Sequence, residues 1–181
     1  MKKIVLKGKE FIVRSFSEND LNYSEKFLSY VNDLIDDPEA IVSFKQKKTI
    51  EEEKKWLESV LHQVRLSKMI MLVAENENRI VGGSAVSLLS ECRDHVAEIG
   101  ISILKDFRNH GLGSFLLKEI IHGAKDQLKP RPSIIRLSTF SVNRNAVSFY
   151  ESNGFRAVAC IPKQFQFRGE FVDEVVMLYF V

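Results

Sequence analysis

The stretch from His95 to Leu128 limits the fold more tightly than any other part of the chain. "HVAEIGISIL" (95–104) alternates strictly, with Val96, Glu98, Gly100 and Ser102 on one face and Ala97, Ile99, Ile101 and Ile103 on the other. That period of two is a strand signal. "KDFRNHGLG" interrupts it, and "SFLLKEIIHGAKDQL" follows. Leu112, Phe115, Leu116, Ile120, Ile121, Ala124 and Leu128 recur there at the helical period. "KPRP" stops the helix, and the apolar "IIRLSTF" (134–140) reads as a short buried strand. A strand, a helix and a strand in succession make a right-handed parallel crossover. The class is therefore α/β.

The remaining segments fit around that unit. "KEFIVRSF" (9–16) reads as the first strand. Ser17 is a helix N-cap with Asp20 three residues on, and a helix follows through Tyr23, Phe27, Tyr30, Val31 and Leu34. "DDPEA" breaks it, because Pro38 disfavours helix at Asp37. Thr49 caps a second helix whose stripe is Ile50, Trp56, Leu57, Val60, Leu61 and Val64. "MIMLVAE" and "RIVGGSAVSLL" flank a polar turn and predict a hairpin. "NRNAVSFYESNGF" (143–155) is a helix closed by Asn153-Gly154. Two final strands surround "RG". The expected order is β-α-α-β-β-β-α-β-α-β-β, a mixed central sheet of about seven strands flanked by about four helices.

Composition excludes several classes. A length of 181 residues suits one domain over 1–181. A net charge of +2 is too small to argue for nucleic acid or a membrane surface. No apolar run approaches the ~20 residues of a spanning helix, and the N-terminus lacks the apolar core of a signal peptide. Cys92 and Cys160 stand apart with no C-x-x-C pairing, which suits a reducing cytoplasm and no metal site, a disulfide between the two being the alternative.

"RNHGLG" (108–113) sits where a strand opens into a helix. The first N–H groups of a helix lack intrahelical partners and the dipole there is positive. Glycines remove the Cβ atoms that would hold a phosphate away. Arg108 could add a charge-assisted contact. The same hexapeptide also suits a tight strand-to-helix turn with Arg108 solvated. No G-K-[ST] follows, and the spacing is not that of the dinucleotide fingerprint.

The whole run "EIGISILKDFRNHGLGSFLLKEII" resembles the coenzyme-A-binding segment of the GCN5-related N-acetyltransferase (GNAT) family. "NRNAVSFYESNGF" is similar to that family's N-x-x-A-x-x-F-Y-x-x-x-G-F helix, and "RGEFVDEVVMLYF" to its last hairpin strand. The element order agrees over essentially the full chain. The resemblance implies the GNAT fold and transfer of an acetyl group from acetyl-CoA to an amine, with no metal. It puts the pyrophosphate on the backbone amides of Arg108, Asn109, His110, Gly111, Leu112 and Gly113, with Ser114 opening the helix. The pantetheine arm would pair with the strand at Ile101 and Ile103. Asn143 matches the asparagine that bonds that arm; read from its residue type alone it is a helix N-cap. Tyr150 matches the tyrosine beside the thioester sulfur, while Phe149 packs the helix on the sheet. The oxyanion would meet a backbone N–H near a bulge, for which Gly100 is suited.

An attacking amine must be neutral. At pH 7 a lysine-like amine is neutral in fewer than about one molecule in a thousand, an α-amine in roughly one in seven. Glu98, which interrupts an apolar strand, matches a glutamate that serves as base in the family; it also reads as an edge or ion-paired residue. His95 and His110 are weaker alternatives. In this family acceptor choice rests on the link between the first two helices, here with Asp33, Asp36, Asp37 and Glu39, and on the last hairpin. The acids read either as a rim for a cationic amine or as a solvated turn. Phe165, Phe167 and Phe171 could wall an apolar slot or form a homodimer contact. The expected partner is a small-molecule or peptide amine, with no nucleic acid and no membrane. A non-catalytic acyl-CoA-binding module on the same fold, and a binder of nucleotide phosphates, are the other classes.

Overall fold

The computed structural model describes residues 1–41, 44 and 46–181. The strands are β1 (Lys2–Leu6), β2 (Lys9–Ser15), β3 (Met69–Asn76), β4 (Arg79–Leu88), β5 (Val96–Ile103), β6 (Ile134–Phe140), β7 (Arg156–Phe167) and β8 (Glu170–Phe180). The helices are α1 (Ser24–Asp36), α2 (Ile50–Arg65), α3 (Leu112–Gln127) and α4 (Arg144–Ser152). The sheet is mixed, in the order β1-β2-β3-β4-β5-β6-β8-β7. β5 and β6 run parallel, as the crossover requires, over Val96–Glu98 and Ile134–Arg136. No helix among the described residues is long and apolar enough to cross a membrane.

The eighth strand, β1, is the one the sequence pattern hides. Its alternation is short and lysine-rich, but Lys7 and Gly8 both take positive φ. A two-residue turn of that hand closes the β1–β2 hairpin.

The chain forms two compact units, residues 1–87 with 100–131, and residues 88–99 with 132–181. In the first, Phe16, Phe27, Leu57, Val60, Leu61, Met71, Val73 and Ile80 make one apolar cluster. Arg14 braces its edge, bonded to Asp20 at 2.7 and 2.9 Å and to Glu75 at 2.6 Å. α3 lays Leu112, Leu116, Leu117, Ile120 and Ala124 inward, all buried. In the second unit the core holds Ile135, Leu137, Phe155 and Met177.

α2 begins as expected, with Thr49 and Glu52 bonding each other's backbone N–H. Its buried face holds Leu57, Val60 and Leu61 as expected, with Val64 packed against it, but differs at two positions. Trp56 is 45% exposed, while Glu53 is buried with Leu57, Val60 and Leu61. Burial pushes the Glu53 carboxyl from 4.5 up to about 7, against an opposing pull from Lys48. A raised carboxyl binds its proton more tightly in the folded chain than in the unfolded one. Its stabilising effect is therefore complete below pH ~4.5 and is lost as pH rises through ~7.

Two predictions follow from this packing. Glu53→Gln removes the cost of burying a carboxylate, so it should raise Tm at pH 8 and change it little at pH 5; equal shifts at both values would contradict the assignment. At Gly82, an added Cβ would lie 3.3 Å from side-chain atoms of Ile103 and of Leu112. Gly82→Val should overpack that spot and cost about 1–3 kcal/mol in a urea melt.

Candidate active site

The glycine loop lies wholly in the first unit. After β5 comes one 3-10 turn, Lys105–Phe107, capped by the Arg108 N–H donating to the Lys105 carbonyl at 3.1 Å. Asn109 (φ 62°) and Gly111 (φ 92°) then adopt left-handed backbone, which glycine takes without penalty and asparagine tolerates. α3 starts at once, Phe115 N–H returning to Gly111 O at 3.1 Å. The N–H groups of the first turn, from Leu112 on, have no acceptor within the helix. A Cβ built on Gly111 would meet nothing within 4 Å, so that side of the loop is open to an approaching group. Leu112 is buried, Ser114 is exposed, and Gly113 lies between.

The loop is held from several sides. Lys7 Nζ donates to Asn109 O at 2.8 Å, and Lys9 Nζ to Asp106 O at 2.7 Å while lying 4.6 Å over the Phe107 ring. His110 Nδ1 lies 2.7 Å from Arg108 O. Arg108 Nε donates to Ile103 O at 2.9 Å, and its Nη2 lies 2.6 Å from Asp37 Oδ2. The Tyr30 hydroxyl bonds Ser102 O at 2.8 Å and Ser102 Oγ at 2.7 Å, fixing the strand between Ile101 and Ile103. Burial raises the Tyr30 phenol well above its usual range.

The acidic segment at the end of α1 is charge-compensated. Asp33 pairs with Arg79 at 2.9 Å, Asp36 with Lys47 at 2.7 Å, Asp37 with Arg108 at 2.6 Å and Glu39 with Lys105 at 2.8 Å. Val42 and Ser43, in the same segment, lie outside the described residues.

The second unit carries the other candidates. Glu98 stands opposite Arg136 in the parallel ladder, so two opposite charges are cross-strand neighbours. The β5–β6 pairing ends at Glu98 and Arg136, two residues before Gly100, which is exposed with open space around its Cα. Asn143 Oδ1 accepts from Ala146 N–H at 3.1 Å, the cap read from its residue type. Tyr150 is buried at 7% exposure, edge-on to Phe149 and Phe155 at 5.1 and 5.3 Å. Burial pushes its phenol up to about 12. Of the hairpin phenylalanines, Phe165 stacks on Phe140 at 4.1 Å and Phe167 meets it edge-on at 5.6 Å, whereas Phe171 is 66% exposed.

Ile101, Ile103 and Arg108 through Ser114 are thus assembled in the first unit, and Glu98, Asn143 and Tyr150 belong to the second. Sequence reasoning missed Lys7, Lys9, Tyr30 and the pairing of Asp37 with Arg108. It also passed over Gly82, although a glycine inside a strand pattern is itself a mark of close backbone approach.

The chain is 31% identical over 107 residues to the L-amino acid N-acetyltransferase AaaT of Escherichia coli, covering 59% of this chain and 65% of that one. It is 25% identical over 83 residues to N-alpha-acetyltransferase 60 of Danio rerio, covering 46% of this chain and 34% of the relative. The chain therefore spans about a third to two thirds of the lengths of these relatives. Its fold matches a GNAT-family acetyltransferase from Streptococcus pneumoniae with a TM-score of 0.78, at 22% identity, over 94% of this chain and 99% of that one. It also matches YncA from Salmonella typhimurium, solved with its cofactor acetyl-CoA, with a TM-score of 0.73 at 17% identity over 94% and 93% of the two chains. The family description "Acetyltransferase (GNAT) family" fits residues 30–155, more than half the sequence, so the chain belongs to the GNAT acetyltransferase family.

Proposed function

We propose that this chain is an acetyl-CoA-dependent N-acetyltransferase that acts on a primary amine by direct attack in a ternary complex. The observation that carries the reading is the loop from Arg108 to Ser114. Two left-handed residues lead into a helix start whose first N–H groups lack internal acceptors, beside a glycine with open space at its Cα. Such a cradle suits a diphosphate. The cosubstrate supplies an activated acetyl thioester. The amides after Arg108 hold its phosphates, and the main chain at Ile101 and Ile103 aligns its arm. Asn143 contributes its amide to that arm while its Oδ1 caps α4.

Tyr150 keeps its proton throughout the physiological range, because burial raises its pKa to about 12. It therefore suits the role of donor to the departing sulfur. Glu98, whose cross-strand neighbour is Arg136, takes the proton from the amine. The acceptor class this reading favours is an α-amine. Such an amine is already partly neutral near pH 7, and the acids at the end of α1 are already paired with cations of the chain itself. The names of the two relatives, an L-amino acid and an N-alpha acetyltransferase, point the same way.

Thiol release from acetyl-CoA, measured against amino acids, peptides and polyamines, tests the reading. Coenzyme A binding without thiol release on any amine would favour the non-catalytic module instead. Tyr150→Phe should lower kcat by about 10²-fold with KM for acetyl-CoA nearly unchanged, and wild-type activity should show no falling limb between about pH 8 and 10. Glu98→Gln should cost a similar factor and be felt most with lysine-like amines. A variant at either position with wild-type kcat removes that residue from the chemistry.

A further inference from the structure

Arg108 is the charged residue of the glycine loop, and the simplest expectation is that it touches phosphate. Its surroundings say otherwise. The main-chain N–H is spent on Lys105 O at 3.1 Å, Nε on Ile103 O at 2.9 Å, and Nη2 on Asp37 at 2.6 Å, while its carbonyl lies 2.7 Å from His110 Nδ1. Asp37 is the C-cap residue of α1, and its side chain is only 8% exposed. Its Oδ1 accepts the Glu39 N–H at 2.8 Å, whereas Oδ2 has no hydrogen bond of good geometry, so the close charge of Arg108 is what offsets its burial. Burial would raise the Asp37 carboxyl, but the Glu39 N–H and the guanidinium outweigh it and hold it below the usual carboxylate range.

We infer that Asp37 and Arg108 form an internal ionic joint that fastens the glycine loop and the end of β5 to the C-terminus of α1, and that Arg108 is a positioning residue and not a phosphate ligand. This inference rests on the cofactor reading above. The guanidinium ties its own loop to the end of β5 and to the carboxylate that ends α1, and its removal would release the turn that sets Asn109 and Gly111 in their left-handed states. A buried carboxylate that loses its cation is strongly unfavourable, so Asp37 would leave its place as well.

The two roles differ in what Asp37 does. For a phosphate ligand, Asp37→Asn frees the guanidinium, and coenzyme A binds as tightly as before or more tightly. For a positioning pair, Asp37→Asn and Arg108→Gln each weaken coenzyme A by roughly fivefold to tenfold, and the double variant is no weaker than the worse single. The salt dependence of binding stays that of the wild type, because no phosphate contact is lost. Calorimetry on the four proteins at two ionic strengths reads all of this. Additive losses, or unchanged binding in Asp37→Asn, overturn the inference. A wild type that does not bind coenzyme A overturns the cofactor reading and this inference together. Hydrogen exchange on the unliganded proteins gives an independent measure should Arg108→Gln fold poorly. Asp37→Asn should speed exchange at residues 109–113 and leave α2 unchanged; unchanged exchange in the loop counts against the joint.

Discussion

The burial of Leu112 is the constraint on which the site depends. Leu112 is 1% exposed and is the first residue of α3. Gly82 lets the β4 backbone approach it, since any side chain there would already crowd Leu112 and Ile103. An apolar side chain seated at the first helical position fixes where the helix begins. It thereby fixes which main-chain N–H groups point outward without acceptors. The chain must still turn from β5 into that start within a few residues. It does so through one 3-10 turn and two left-handed residues. Packing thus sets the position of the cradle, and turn chemistry sets its shape.

The negative charge at the end of α1 is consumed internally. The four acids in and just after the last turn of α1 each meet a cation, and two of those cations, Lys105 and Arg108, come from the glycine loop region. The exposed pairs contribute little to stability on their own. The Asp37–Arg108 pair differs because its carboxylate is buried and also binds backbone. A segment that looks like an acidic surface in one dimension is therefore a set of tethers in three.

Much of this was legible in the sequence. Strict alternation in β5, the 3.6-residue stripe of α3 and the capping residues Thr49 and Asn143 each have a local cause, and each element lies where its pattern puts it. What stayed hidden was tertiary. β1 is too short and too rich in lysine for its alternation to register, and only its turn stereochemistry betrays it. Trp56 is apolar at a plausible spacing, yet the buried stripe of α2 runs through Glu53, Leu57, Val60 and Leu61, and nothing local predicts a buried carboxyl. The partners of Arg108 lie 5 and 71 positions away, so no window of sequence contains them. Roles resting on two-body geometry are invisible until the chain is folded, whereas roles resting on backbone conformation are written in glycine and asparagine.

The lysines of the β1–β2 hairpin carry a thermal consequence. Lys7 and Lys9 clasp the carbonyls of Asn109 and Asp106 from the turn end of a hairpin at the margin of the sheet. Marginal elements open at a small fraction of the free energy needed to unfold the whole. The stiffness of the loop is therefore borrowed from one of the first parts of the molecule to fray. On warming, order in the loop erodes while the apolar centre is still intact, so the loop loses its fixed shape at a temperature below that at which the chain melts.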